Sequence, residues 1–177
     1  MTEPPKDSPI SRAPVLVLIG GMALAIGLVL LGAALAARPV DEPPSGSPGV
    51  AGAPREINVI LRDYRFDPTP LYLYGGETVR LSVLNGGMLE HELVLGDANV
   101  QAAWAAANAA AASPAPFATP PPASAPAGTG GVRVLLQSGA VTSVVYAVPV
   151  NEQLQLICHL PGHVERGMIG QVTLISR

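Results

Sequence analysis

The sequence predicts an all-β sandwich preceded by one membrane-spanning helix, on two observations. From about residue 56 to the C-terminus, short alternating or β-branched runs are separated by Gly, Pro, Asn and Asp turns, the pattern of a sandwich built from short strands. Ahead of them, residues 13–37 form an uncharged, almost wholly apolar run. At about 1.5 Å per residue that run is about 37 Å long as a helix, enough for a hydrocarbon core of about 30 Å.

Composition fits a compact domain with low-complexity attachments. Aromatic residues make up 4% and charged residues 13%, while Gly and Pro number 19 each, thin material for a core spread over the whole chain. A net charge of -3 with no basic run argues against a nucleic-acid partner. The single Cys rules out an internal disulfide and a dinuclear copper site that needs two cysteines, and a zinc site would usually show more Cys or His.

Taken in order, residues 1–12 form a polar tail carrying Lys6 and Arg12, expected in the cytoplasm. Pro14 lies near the start of the apolar run, where proline is tolerated, and Arg38-Pro39 ends it. A secretory signal is the competing reading, with Ala34-Leu35-Ala36 as a cleavage site. The apolar run exceeds the 7–15 residues or so of a signal, so a retained anchor is expected and a cleaved, periplasmic form is the alternative. The charges of Lys6 and Arg12 favour a cytoplasmic N-terminus, partly balanced by Arg38 and Arg55. Residues 38–54, rich in Pro, Gly and Ser, read as a tether.

The folded domain is expected over 55–177. Strands are predicted at Glu56–Leu61, Leu71–Tyr74, Thr78–Leu84 and Leu89–Leu95, with turns at Asp67-Pro-Thr-Pro, Gly75-Gly76 and Asn85-Gly-Gly. In the third, Val79, Leu81 and Val83 share one face. In the fourth, Leu89, His91, Leu93 and Leu95 do, which points His91 inward. Later strands are expected at Val132–Leu136, Thr142–Val148, Gln153–Cys158 and Met168–Ile175. The segment from Val141 to Val148 alternates poorly, as a strand buried on both sides would.

An insertion at 98–131 interrupts this pattern. Gln101–Ala112 is mostly Ala and predicts a helix, with Trp104 packed on the barrel. Ser113–Gly131 is Pro, Ala, Gly, Ser and Thr, which cannot build a core. The insertion reads as a spacer, with a docking surface for a partner as the alternative.

Between the last two strands stands Cys158-His-Leu-Pro-Gly-His-Val-Glu-Arg-Gly-Met168. Cys158 to His163 and His163 to Met168 are equal steps, and a loop of this size can bring thiolate, imidazole and thioether to one point. Soft sulfur plus imidazole suits copper, and one Cys and two His in a plane with a weak axial Met make a type 1 site. The loop lacks the second His. His91 is the first candidate, because His159 follows Cys158 directly and strand alternation turns it away. Met88 is an alternative axial ligand. Glu165 and Arg166 read as solvated residues that could tune docking by charge.

The segments Arg62-Asp-Tyr-Arg-Phe-Asp-Pro, Gly75-Gly-Glu-Thr-Val-Arg-Leu, Asn85-Gly-Gly, His91-Glu-Leu and the Cys-x4-His-x4-Met loop together resemble the cupredoxins, the blue copper proteins of the plastocyanin/azurin superfamily. The loop spacing is similar to that of rusticyanin and auracyanin. The resemblance runs from about Glu56 to the C-terminus apart from the insertion. It implies a Greek-key β-sandwich or barrel, one copper held by His91, Cys158, His163 and Met168, and work outside the cytoplasm. Many members carry Asn directly after the first His, where it braces the Cys loop. Here that position is Glu92, and the role is not carried over. Leu160, Pro161 and Gly162 are expected to form an apolar rim at the edge of His163, where electrons would pass.

The expected function is a membrane-anchored, outer-facing carrier of single electrons between redox proteins such as a cytochrome and an oxidase or reaction centre. The alternative is a copper-binding protein for capture, resistance or delivery. No small-molecule substrate is expected, and an enzyme is not: three His in all cannot build the further copper centres of an oxidase.

Overall fold

The computed structural model describes residues 46–112 and 122–176. The expected tail 1–12, the expected membrane helix 13–37 and most of the expected tether lie outside the described residues. Among the described residues no helix is long and apolar enough to cross a membrane.

Among the described residues the strands are β1 (Arg55–Arg62), β2 (Arg65–Asp67), β3 (Leu71–Tyr74), β4 (Thr78–Asn85), β5 (His91–Gly96), β6 (Val132–Leu136), β7 (Val141–Ala147), β8 (Gln155–Ile157), β9 (Ile169–Gly170) and β10 (Val172–Ile175), and a helix, α1 (Ala98–Ala112), follows β5. One sheet runs β2-β1-β4-β7, the other β6-β5-β8-β9, and β3 and β10 form a separate pair. Two pairings, β1 with β4 and β3 with β10, are parallel, because the chain crosses between layers before returning. The fold class is thus the expected all-β sandwich.

Alternation explains the core. Ile57, Val59 and Leu61 of β1 and Val79, Leu81 and Val83 of β4 point inward, where they meet Leu93 and Leu95 of β5, Val134 and Leu136 of β6, and Leu156 of β8. Each such side chain, fully buried, stabilises the fold by about 1.5–3 kcal/mol. Cys158 and Met168 belong to the same cluster, so the metal loop is rooted in the core.

Several elements differ from expectation. β2 was not anticipated, β8 is shorter than the expected Gln153–Cys158, and the expected last strand Met168–Ile175 divides into β9 and β10, which pair with β8 and β3 respectively. β5 begins at His91, two residues late, and Leu89 is exposed. All six β5 residues are buried, because α1 packs on the face of the strand turned away from the core. α1 starts at Ala98 rather than Gln101, since Asp97 caps it: its Oδ1 accepts the Val100 N–H at 2.9 Å and holds an otherwise orphaned donor. β7 is an edge strand, with Val141 and Val145 exposed. Its run of valines reflects β-propensity rather than burial on both sides, and only Val144 and Tyr146 turn toward the core.

The described end of the tether is stitched to the sandwich. Glu77, its side chain fully buried, binds Arg55 through both carboxylate oxygens, at 2.6 and 2.9 Å. It also accepts the N–H groups of Tyr74 at 2.7 Å and Gly49 at 3.2 Å. Gly49 in turn accepts the Thr78 N–H at 3.0 Å.

Candidate metal centre

Three connections meet at the site: the two-residue turn between β1 and β2, the segment leading into β5, and the loop from β8 to β9. The third closes on itself. The Cys158 N–H donates to the Met168 carbonyl at 3.2 Å, the Met168 N–H to the His163 carbonyl at 2.9 Å, and the His163 N–H to the Leu160 carbonyl at 3.0 Å. Pairing of Leu156 with Gly170 and Ile157 with Ile169 clamps its two ends.

His91, Cys158 and His163 converge. His91 Nδ1 lies 3.2 Å from His163 Nδ1, and His163 Nδ1 lies 3.2 Å from Cys158 Sγ. One donor atom from each of the three residues falls within 4.8 Å of the others. Two donors bound to one first-row metal at about 2.0–2.3 Å sit roughly 3.2–3.8 Å apart, so the spacing fits a single ion. Two imidazole nitrogens and a thiolate suit copper. His91, Cys158 and Met168 are fully buried, and His163 retains 8% exposure, which makes it the side of the site nearest solvent. Pro161 and Gly162 are exposed beside it and Leu160 is half-buried.

The other candidates fall elsewhere. His159 turns to the opposite face, where its Nε2 meets Gln101 Oε1 of α1 at 2.8 Å. Met88 is 86% exposed. Glu165 is exposed, whereas the exposed Arg166 lies over the Tyr64 ring, 4.7 Å from its centroid, and contacts its hydroxyl.

Burial sets the protonation of the donors. It pushes the Cys158 thiol up to about 11. It lowers His163, with the neighbouring His91 adding to the effect, and it lowers His159. The hydrogen bond from His91 holds the Asp63 carboxyl below its ordinary value.

Several functional neighbours escaped the sequence reading, and Glu92, to which it gave no bracing role, does hold the Cys loop. Asp63 Oδ1 lies 3.0 Å from His91 Nε2. Tyr64 packs edge-on against both imidazoles, with centroids 5.3 Å from His163 and 6.5 Å from His91, and its φ of 65° is strained backbone of the kind found at functional sites. Glu92, fully buried, sends its N–H to Cys158 Sγ at 3.5 Å. Its carboxylate accepts the His159 N–H at 2.8 Å, Asn108 Nδ2 at 2.9 Å and Arg133 Nε at 2.7 Å. Arg133 stacks on Trp104 at 4.5 Å. The insertion helix is thereby tied to the peptide after the Cys. A carboxylate between His91 and the apolar run Leu93-Val94-Leu95 was the available signal for Glu92; the two-residue hairpin offered none for Asp63.

No protein-family model matches the chain. It is 36% identical over 133 residues to the copper-resistant cuproprotein CopI of Rubrivivax gelatinosus, covering 74% of this chain and 73% of that one. It is 29% identical over 164 residues to the protein of the same name in Pseudomonas aeruginosa, covering 82% and 91%. Among solved structures it is similar to auracyanin B, with TM-score 0.54 and 28% identity over 73% of this chain and 96% of that one. Auracyanin A of Chloroflexus aurantiacus shares the fold, with TM-score 0.52 and 24% identity over 70% and 100%.

Proposed function

The chain belongs to the CopI family of copper-resistant cuproproteins, has the cupredoxin fold and takes copper as its cofactor; from that premise we propose that it protects against copper through a one-electron site outside the cytoplasm. The observation that carries this reading is the buried meeting of His91 Nδ1, His163 Nδ1 and Cys158 Sγ at 3.2 Å steps. Those three would hold the copper, and the buried Met168 would supply a thioether as a fourth, weaker donor. Copper, when bound, supplies a Cu(II)/Cu(I) couple.

The residues do the rest. Cys158 gives up its proton to bind as thiolate. The closed loop and its β8–β9 clamp hold the same shape for both oxidation states, which keeps reorganisation small. His163, at the solvent side, is the route for electrons. Residues 13–37 anchor the domain to the membrane, with release by cleavage as the alternative. No substrate reacts at the metal.

A second reading, a carrier between redox proteins such as a cytochrome and an oxidase, is favoured by the likeness to auracyanin B at 28% identity. One measurement tests the site that both readings share, and a second separates them. Titration of the full chain with Cu(II) is expected to give an intense visible band at one copper per chain, bleached by reductant and restored by oxidant. A strain lacking the protein is expected to lose growth at copper levels its parent tolerates, and a Cys158→Ala chain to fail to restore it. Unchanged tolerance with slowed electron flow would move the assignment to the carrier.

A further inference from the structure

We propose that Asp63 is the positioning residue for His91: its carboxylate fixes the imidazole with Nε2–H outward and Nδ1 free for copper, and its negative charge lowers the reduction potential. The inference rests on His91 being a copper ligand.

The β1–β2 turn puts the carboxylate there. Asp63 Oδ1, 3.0 Å from His91 Nε2, also accepts the Met88 N–H at 3.0 Å and the Leu89 N–H at 3.3 Å. The segment leading into β5 thus holds the oxygen that holds the ring. Asn85 fixes that segment in turn: its Oδ1 accepts the Gly87 N–H at 3.0 Å, and its Nδ2 donates to the carbonyls of Leu89 and Leu136, both at 2.8 Å.

Gly87 makes the approach possible. A Cβ there would lie 2.5 Å from Asp63 Oδ1 and 2.8 Å from His91 Nε2, so any side chain would wedge the pair apart. The glycine is needed for space against this one hydrogen bond.

The chemistry follows from the tautomer. A neutral imidazole that donates from Nε2 has its lone pair on Nδ1, the atom facing His163 and Cys158. A carboxylate behind a ligating imidazole raises its basicity and holds its orientation. The negative charge also favours the doubly over the singly charged metal, so it stabilises Cu(II) more than Cu(I). The Asp63 side chain is 38% exposed, so its replacement leaves no hole in the core.

The test uses the full chain as Asp63→Asn, Asp63→Ala and Gly87→Ala. In the copper-loaded form the reduction potential is read by voltammetry. In the metal-free form the His91 tautomer is read from imidazole 15N shifts. Asp63→Asn keeps an acceptor oxygen without the charge, and is expected to raise the potential while preserving the Nε2–H tautomer. Asp63→Ala is expected to raise the potential and mix the tautomers. Gly87→Ala is expected to follow Asp63→Ala although Asp63 is intact. A roughly tenfold loss of preference for Cu(II) corresponds to about 59 mV for one electron. Potentials and tautomer unchanged in both Asp63 variants would overturn the proposal. A wild-type chain without a reversible copper couple would instead overturn the ligand assignment, and the metal-free spectra would still decide the Asp63 contact.

Discussion

The carboxylate of Glu92 accepts the backbone N–H of His159 at 2.8 Å, so the residue after His91 is fastened to the residue after Cys158. The same carboxylate is held by Arg133 and Asn108. Removing it takes the acceptor from a mostly buried guanidinium and a partly buried peptide N–H, and breaking a buried pair costs about 3–5 kcal/mol. Glu92→Ala is expected to destabilise the metal-free protein by that order in chemical denaturation. Glu92→Gln keeps an acceptor for His159 and should cost less. Equal stability of Glu92→Ala and wild type would mean the network contributes nothing.

The ligand loop gives a sharper expectation. Cys158→Ala removes the thiolate and is expected to abolish the blue centre, and an unchanged visible spectrum would refute the assignment. If Met168 is the proposed axial donor, Met168→Gln replaces a soft thioether with a harder oxygen that favours Cu(II). It is expected to keep copper and lower the potential; no shift would mean Met168 is not axial.

Copper uptake should release a proton. The Cys158 thiol, raised by burial to about 11, is protonated at neutral pH in the metal-free chain and must ionise to bind. His163 is lowered from 6.5, so it is neutral at pH 7.5 and adds none. Calorimetry at that pH in buffers of different ionisation enthalpy should report about one proton released per copper. Affinity should rise with pH and level off near 11. No proton release would place a thiolate in the metal-free site.

Most strands, and the meeting of Cys158 with His163, were legible because they obey local rules. Val79, Leu81 and Val83 alternate, and the order Cys158, His163, Met168 carries its chemistry within one loop. The polar neighbours were not legible, because each acts across a fold-dependent gap: Asp63 reaches His91 over 28 positions and Arg133 reaches Glu92 over 41. The insertion misled for the same reason. Its alanines announce a helix, but only in place do Gln101 and Asn108 face His159 and Glu92.

The last expectation concerns acid. Burial alone would raise the Glu77 carboxyl, but the Arg55 guanidinium and the N–H groups of Tyr74 and Gly49 outweigh it and hold the group below its ordinary 4.5. The unfolded chain therefore binds this proton at higher pH than the folded one. The stabilisation is fully present above about 4.5 and is lost as pH falls through the lower folded value. Urea denaturation of the metal-free protein from pH 7 to pH 3 should show wild-type stability falling in that window. Glu77→Gln has no carboxylate to protonate. It should be less stable at pH 7 and lose less on acidification, so the two curves converge at low pH. Parallel curves would mean that another carboxylate carries the acid dependence, and that the link from Gly49 through Glu77 to Arg55 does not govern how the domain yields to acid.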